Sequence, residues 1–377
     1  PSVWSITLAF PITLVIGTRP EAIKLAPLAR ALAARGMPFH LAITGQHPAL
    51  DLTAFGLDRY PHTLLSCPGQ ADPMAHAQAV ASAFRSMAEQ TDLIMVQGDT
   101  SSALGGALTG FATATTVAHV EAGLRSHDPA MPWPEEDNRV TIDAGADLLF
   151  AVTETSAANL RAEQVRGEIH VTGNTGIDAL RDLLGRVPLP RLAAVQDKPR
   201  LLVTCHRREN WGVAFDSIAQ ALLELSETGR LQIDVLVPPN NTQAALVRQR
   251  LAGCFSIRLR PPLDHAGMVE AMRGASIILS DSGGVQEEAP ALGVPLLVMR
   301  TKTERPEGVV SGNMVLVGSD RVRIVAEVLR LLDDPDAYAA MAHPRLPYGD
   351  GLAAERIADI TLDWLAARGR FPERHTA

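Results

Sequence analysis

The sequence predicts an α/β protein built of two Rossmann-like, doubly wound domains facing across a cleft. Three observations lead there. Short Val/Ile/Leu-rich runs alternate with longer helical patterns along the chain. Many of those runs are apolar without alternation, as parallel strands covered on both faces require. At 377 residues the chain also exceeds what one ordinary core organises. In the first half the strand candidates are Ile12 to Gly17, His40 to Gly45, Leu93 to Gly98, Thr116 to Glu121 and Leu148 to Thr153. In the second they are Leu201 to Cys205, Ile233 to Val237, Ile257 to Arg260, Ile277 to Ser280, Pro295 to Met299 and Met314 to Val317. Between the halves, Arg186-Val187-Pro188-Leu189-Pro190 and then Asp197-Lys198-Pro199 give the strongest linker signal. No repeat of solenoid period and no low-complexity tract interrupts the pattern.

Charged residues make up 20% of the chain and the hydrophobic set 46%, a balance typical of a compact soluble protein. A formal charge of −8 argues against nucleic acid or a membrane surface as the main partner, so an anionic ligand has to meet local positive charge. Cys67, Cys205 and Cys254 are too few and too scattered for a disulfide framework or a zinc site, and no metal is expected. A reducing cytoplasm is therefore the expected home. The opening PSVWSITLAF lacks the charged start and small-residue cleavage site of a signal peptide, and no apolar run reaches transmembrane length.

The candidate functional residues gather at the carboxyl ends of the predicted strands, where ligands of such folds bind. The apolar run Ile277 to Leu279 stops at Asp281-Ser282-Gly283-Gly284, and a helical run follows at once. Two glycines at that turn leave bare N–H groups at the positive end of a helix dipole, which suits phosphate. Taken alone, the turn is equally a plain strand-to-helix connection. Glu288, about one turn into the helix, favours the nucleotide reading because it is placed to reach a ribose hydroxyl.

Gly17 to Lys24 follows the first strand, with Pro20 placed to open a helix. Arg19 and Lys24 oppose the dipole there, which favours a role in offsetting phosphate charge. Asp99 ends one strand, Glu121 the next, and His206 ends the first strand of the second half. Helix capping is the competing reading for Asp99, and a structural role for a lone histidine. The loop from Met131 to Arg139 carries two prolines, a tryptophan and three acids; Glu135 or Glu136 on it would suit a positioned acid or base. Three desolvated carboxylates brought together acquire separated pKa values, so that one takes a proton while another gives one. Arg305 follows the fifth strand of the second half, within reach of a sugar or phosphate, or is a surface cation.

Together these stretches resemble the non-hydrolysing UDP-N-acetylglucosamine 2-epimerases. The matching pieces are GTRPEAIKLAPL (17–28), GDTSSAL (98–104), HVEAGLRS (119–126), PWPEEDNR (132–139), TGNTGIDAL (172–180), HRREN (206–210), DSGGVQEEAPALGVP (281–295), TERPEGV (303–309) and PYGDG (347–351), in family order. The resemblance implies the glycosyltransferase-B architecture: an N-terminal domain over 11–174, a UDP-binding domain over 175–352, and a terminal helix, 353–377, packing back on the first. It also implies a homodimer and interconversion of UDP-GlcNAc and UDP-ManNAc.

The C2 proton of such a sugar lies next to no carbonyl, and no nicotinamide fingerprint is present, so no cofactor is expected. The family's route is anti elimination of UDP through a 2-acetamidoglucal, then re-addition. By resemblance, Arg19, His206, the Ser282-Gly283-Gly284 amides and Arg305 serve the departing diphosphate. Asp99, Glu121 and Glu135 take the acid/base positions at C2, Glu288 takes the ribose, and the backbone near Leu263 with Met268 frames uracil.

The chain departs from the family where a second, activating UDP-GlcNAc molecule binds. Val237-Pro238-Pro239-Asn240-Asn241 lacks the usual histidine, Pro48-Ala49-Leu50 replaces long polar side chains after Gln46-His47, and Ser66 to Gln70 lacks an arginine. Weak or absent activation by substrate is therefore expected. The competing functions are a hydrolysing epimerase releasing ManNAc and UDP, a glycosyltransferase, and a catalytically silent nucleotide-sugar sensor.

Overall fold

The structure, a computed structural model, describes residues 11–48, 50–186, 198–254 and 256–369. They fall into two compact units, one running to Ala179 and taking the chain back from Gly349, the other spanning Leu180–Tyr348. The first contains β1 (Ile12–Ile16), α1 (Arg19–Ala34), β2 (Phe39–Ile43), β3 (His62–Leu64), α2 (Pro73–Ala88), β4 (Leu93–Gln97), α3 (Ser101–Thr113), β5 (Thr116–Ala122), α4 (Glu135–Gly145), β6 (Leu148–Ala151), α5 (Glu154–Ala162) and β7 (Glu168–Val171). Helix α6 (Thr175–Arg186) follows, and the change of unit falls within it. The boundary expected after residue 174 lies just ahead of that helix. Most of the expected linker lies outside the described residues.

The seven strands pair in parallel in the order β3-β2-β1-β4-β5-β6-β7. The order reverses between β1 and β4, and the crevice beyond the carboxyl ends of such a pair is where doubly wound folds bind ligands. Gly17 follows β1 and Gly98 follows β4, so both turns open on that crevice. Five of the seven strands were legible as apolar runs. The other two, β3 and β7, are edge strands of three and four residues whose side chains are largely exposed.

The second unit contains β8 (Arg200–Thr204), α7 (Val213–Glu227), β9 (Gln232–Leu236), α8 (Asn241–Leu251), β10 (Ile257–Arg260), α9 (His265–Arg273), β11 (Ile277–Ser280), α10 (Gly283–Leu292), β12 (Leu296–Val298), α11 (Pro306–Val310), β13 (Met314–Leu316), α12 (Arg321–Asp333) and α13 (Pro335–Met341). Its six strands, all parallel, run β10-β9-β8-β11-β12-β13. The reversal here lies between β8 and β11, so His206 and Asp281 flank it. No helix among the described residues is long and apolar enough to cross a membrane.

The last helix, α14 (Ala353–Ala367), belongs to the first unit. Ala354, Ile357, Ala358, Leu362 and Leu365 join Leu25, Leu28 and Leu32 of α1 in one buried cluster. Its first turn is capped from a distance: the Ala353 and Ala354 amides donate to Asp178 at 3.2 and 2.8 Å. Arg35 holds the outer side through Asp359 at 2.8 Å and Glu355 at 2.7 Å, partners that are both exposed. Apolar packing therefore dominates this attachment. Leu365→Ala is expected to cost about 2–5 kcal/mol, and Arg35→Ala about 1 kcal/mol or less. Urea midpoints of the two variants check this; equal losses would reverse the assignment.

Candidate functional site

At the β1/β4 reversal, one buried carboxylate ties two turns together. Glu21 Oε2 accepts from Gly17 N at 2.9 Å, Thr18 N at 2.6 Å and the Thr18 hydroxyl at 2.8 Å. Its other oxygen accepts from the Thr100 hydroxyl at 2.6 Å, and Thr100 also caps α3. Burial raises the Glu21 pKa above the ordinary carboxyl value, although each of these hydrogen bonds pulls the other way. Gly17 has no room for a side chain, since a Cβ would lie 2.0 Å from Ser102 Oγ. Arg19, half-buried, opens α1 beside this turn, its amide donating to His47 Nδ1 at 3.3 Å.

Glu121 does not end its strand as the sequence suggested. It sits on a bulge within β5, where the register with β6 slips between Val120 and Ala122, and its φ is +74°. The bulge presents a largely buried carboxylate whose Oε2 accepts from Lys24 Nζ at 2.5 Å, Gln97 Nε2 at 2.9 Å and Asn174 Nδ2 at 3.4 Å. Lys24 was expected to meet phosphate; the structure places it on Glu121. Asp99 follows Gly98 and is paired with Arg139, while its carbonyl accepts from Asn138 Nδ2 at 2.8 Å.

Glu135 and Glu136 open α4, after cis peptides at Met131-Pro132 and Trp133-Pro134. Their environments differ. Glu136 is buried, accepts from the Ser126 and His127 amides at 3.0 and 2.9 Å, and pairs with Arg139 at 3.0 Å. Glu135, at the first helical position, is half-buried. Arg139 thus links the helix carrying Glu135 to Asp99. Sequence reasoning missed Gln97, Asn138, Arg139 and Asn174 as supports, although all but Gln97 lie inside the motifs that were singled out.

In the second unit, Asp281 is fully buried after β11 and accepts from the His206 amide at 2.9 Å, the Arg207 amide at 2.9 Å and Asn210 Nδ2 at 2.8 Å. That carboxylate shapes the loop after β8 and leaves the His206 side chain exposed. Desolvation by surrounding protein still lowers the pKa of its imidazole, with Asp281 pulling partly the other way.

Ser282 is the N-cap of α10 without a side-chain cap bond, so Gly283 and Gly284 present the first amides of that helix. Glu288, buried one turn further, accepts from His265 Nε2 at 2.7 Å. Half-buried Leu263 and Met268 lie on either side of Asp264, the N-cap of α9. Arg305 is not a surface cation. Its guanidinium is shared between Glu287, at 2.6 Å, and Glu304, and a Cβ on Gly283 would come within 3.0 Å of it. It lies directly against the glycine turn.

The chain matches the family model described as UDP-N-acetylglucosamine 2-epimerase over residues 30–362. It is 42% identical over 364 residues to the UDP-N-acetylglucosamine 2-epimerase of Escherichia coli K12, a match covering 92% of this chain and 96% of that one. The crystal structure of the Neisseria meningitidis UDP-GlcNAc 2-epimerase bound to UDP-GlcNAc superposes with a TM-score of 0.88 at 34% identity, covering 93% and 99% of the two chains. That of the Methanocaldococcus jannaschii enzyme in complex with UDP-GlcNAc and UDP gives 0.82 at 32% identity, again covering 93% and 99%.

The Glu136 contacts yield a stability test that needs no ligand. Glu136→Ala orphans two amides and leaves Arg139 short of one partner, so a loss of about 3–5 kcal/mol is expected. A shift in the unfolding midpoint worth less than about 1 kcal/mol would show that these contacts do not hold the loop.

Proposed function

The chain belongs to the UDP-N-acetylglucosamine 2-epimerase family and is an isomerase; on that premise we propose that it interconverts UDP-GlcNAc and UDP-ManNAc by anti elimination and re-addition of UDP, with little or no activation by a second substrate molecule. The observation that carries this reading is the placement of Asp99 and Glu121 at the carboxyl ends of the adjacent strands β4 and β5, with Lys24 and Gln97 on Glu121 and with Arg139 tying Asp99 to the helix that begins at Glu135.

Elimination asks two things of the protein. The departing diphosphate must be stabilised, and the second unit offers the Ser282-Gly283-Gly284 turn at a helix N-terminus, with Arg305 against it and His206 across the β8/β11 reversal. With its pKa lowered, His206 serves as a neutral hydrogen-bond donor around pH 7. By the family resemblance, Arg19 is a further cation assigned to the diphosphate. Glu288 takes the ribose, and Leu263 with Met268 frames the uracil.

The C2 proton must also leave and return on opposite faces. Asp99, Glu121 and Glu135 divide that work, and Lys24 donates to Glu121, tying that carboxylate to α1. The released electron pair forms the C1–C2 double bond of the glycal as the C1–O bond breaks; re-addition reverses both. The working form is the homodimer implied by the family resemblance.

The reduced response to a second substrate is supported by how the remaining polar groups are used. Gln46 Oε1 accepts from Ser102 at 2.7 Å, and Asn240 is spent capping α8 through Thr242 and Gln243.

In D2O, NMR of UDP-GlcNAc with the protein is expected to show deuterium at C2 of both epimers, with phosphorus signals showing no build-up of free UDP. Absence of C2 exchange would sink the reading, and UDP rising in step with ManNAc would replace it with hydrolysis. Glu121→Gln or Asp99→Asn is expected to lower kcat on the order of 10²–10⁴-fold. Rates against UDP-GlcNAc concentration should be hyperbolic, and pure UDP-ManNAc should convert without added UDP-GlcNAc; sigmoidal curves would restore the activated form.

A further inference from the structure

We propose that His119 and Asp143 are positioning residues of the epimerisation, a buried pair that fixes the backbone on both sides of the two acids Asp99 and Glu121. The inference rests on the acid/base reading of those two residues. Neither His119 nor Asp143 has any exposed surface, so neither touches substrate. His119 Nδ1 lies 2.5 Å from Asp143 Oδ1, and His119 Nε2 lies 2.8 Å from the carbonyl of Gly98, the residue before Asp99. The second Asp143 oxygen accepts from the amide of Gly123, two residues beyond Glu121, at 3.1 Å, and from Arg125 at 2.8 Å. Asn159 holds the Gly123 carbonyl at 2.9 Å.

A carbonyl only accepts, so Nε2 carries a hydrogen. Burial would raise the Asp143 carboxyl, but the charges of His119 and Arg125 outweigh it and hold the group below its ordinary value. Nδ1 faces the Asp143 carboxyl across a 2.5 Å contact, so a single proton lies between them and the ring bridges Asp143 to the Gly98 carbonyl. The backbone it grips is left-handed at three points: φ is +69° at Gly98, +74° at Glu121 and +82° at Gly123. A glutamate holds such a conformation only where its surroundings impose it. A buried charged group is a poor device for stability alone, since well-packed apolar residues of similar volume serve as well or better. Here its hydrogen bonds end on the two strand ends that carry the acids.

His119→Gln and Asp143→Asn test this in the full-length protein. Each is expected to lower kcat on the order of 10²-fold, as misplacement of reacting groups does. KM for UDP-GlcNAc and the Kd for UDP should stay within about threefold, the split expected when only the chemical step suffers. C2 deuterium incorporation should fall in proportion to kcat. Wild-type kcat in both variants overturns the proposal, and so does a kcat loss matched by lost UDP affinity and by the fraction unfolded. Should these variants fail to fold, Asn159→Ala, which releases only the Gly123 carbonyl, should lower kcat several-fold with UDP affinity kept; unchanged kcat overturns the proposal. Failure of the acid/base reading would look different, since Asp99→Asn and Glu121→Gln would then retain full activity.

Discussion

A carboxylate removed from water has to be met by cations or N–H groups, and the contact between Lys24 and Glu121 shows how strictly that constraint shapes this protein. Lys24 sits on the second turn of α1, Glu121 on the bulge of β5, and Gln97 and Asn174 complete the cradle from two further segments. Four parts of the chain are thereby held around one oxygen. Glu21, Glu136 and Asp143 repeat the arrangement nearby: Glu21 joins the turns after β1 and β4, Glu136 holds the 126–127 amides, and Asp143 holds His119, the Gly123 amide and Arg125. The ends of β1, β4 and β5 are held as one piece because buried anions leave their partners little freedom.

The same constraint decides which groups are free to meet a ligand. The chain carries a net charge of −8, and many of its buried cations are already committed: Lys24 to Glu121, Arg139 to Asp99 and Glu136, Arg125 to Asp143 and Glu163, Arg305 to Glu287 and Glu304. On the proposed reading, a diphosphate at the start of α10 would depend on oriented backbone amides as much as on formal charge. Arg305 lies against Gly283, and Asp281 shapes the loop that carries His206. Anions holding cations, and cations holding backbone, give preorganised dipoles without a strongly basic surface.

The two sheets were legible because long apolar runs fit few structures other than parallel strands covered on both faces. β3 and β7 escaped notice since three or four residues at a sheet edge, none of them buried, carry no such signal. Much of the candidate site was legible too, because a strand end followed by glycine and a polar residue is the natural signature of a doubly wound crevice; Gly98-Asp99 and Asp281-Ser282-Gly283 are examples. What spacing did not give is the partner of each cation. Lys24 was assigned by its place near a helix start, yet its Nζ contacts a residue 97 positions away. Arg305 read as a phosphate ligand or a surface cation, and its guanidinium is shared between two carboxylates.

Residue order alone determined the α/β class, the parallel sheets and the identity of the acids and glycines at the strand ends. Those features follow from local periodicity and from backbone stereochemistry, which act over a few residues. Tertiary structure decided how each side chain is used: that Glu136 is an anchor, that Glu121 stands on a bulge, and that His119 grips the turn ahead of Asp99. The reason is that the state of a buried charge depends on whatever the fold brings within about 3 Å of it, and sequence spacing does not record that distance.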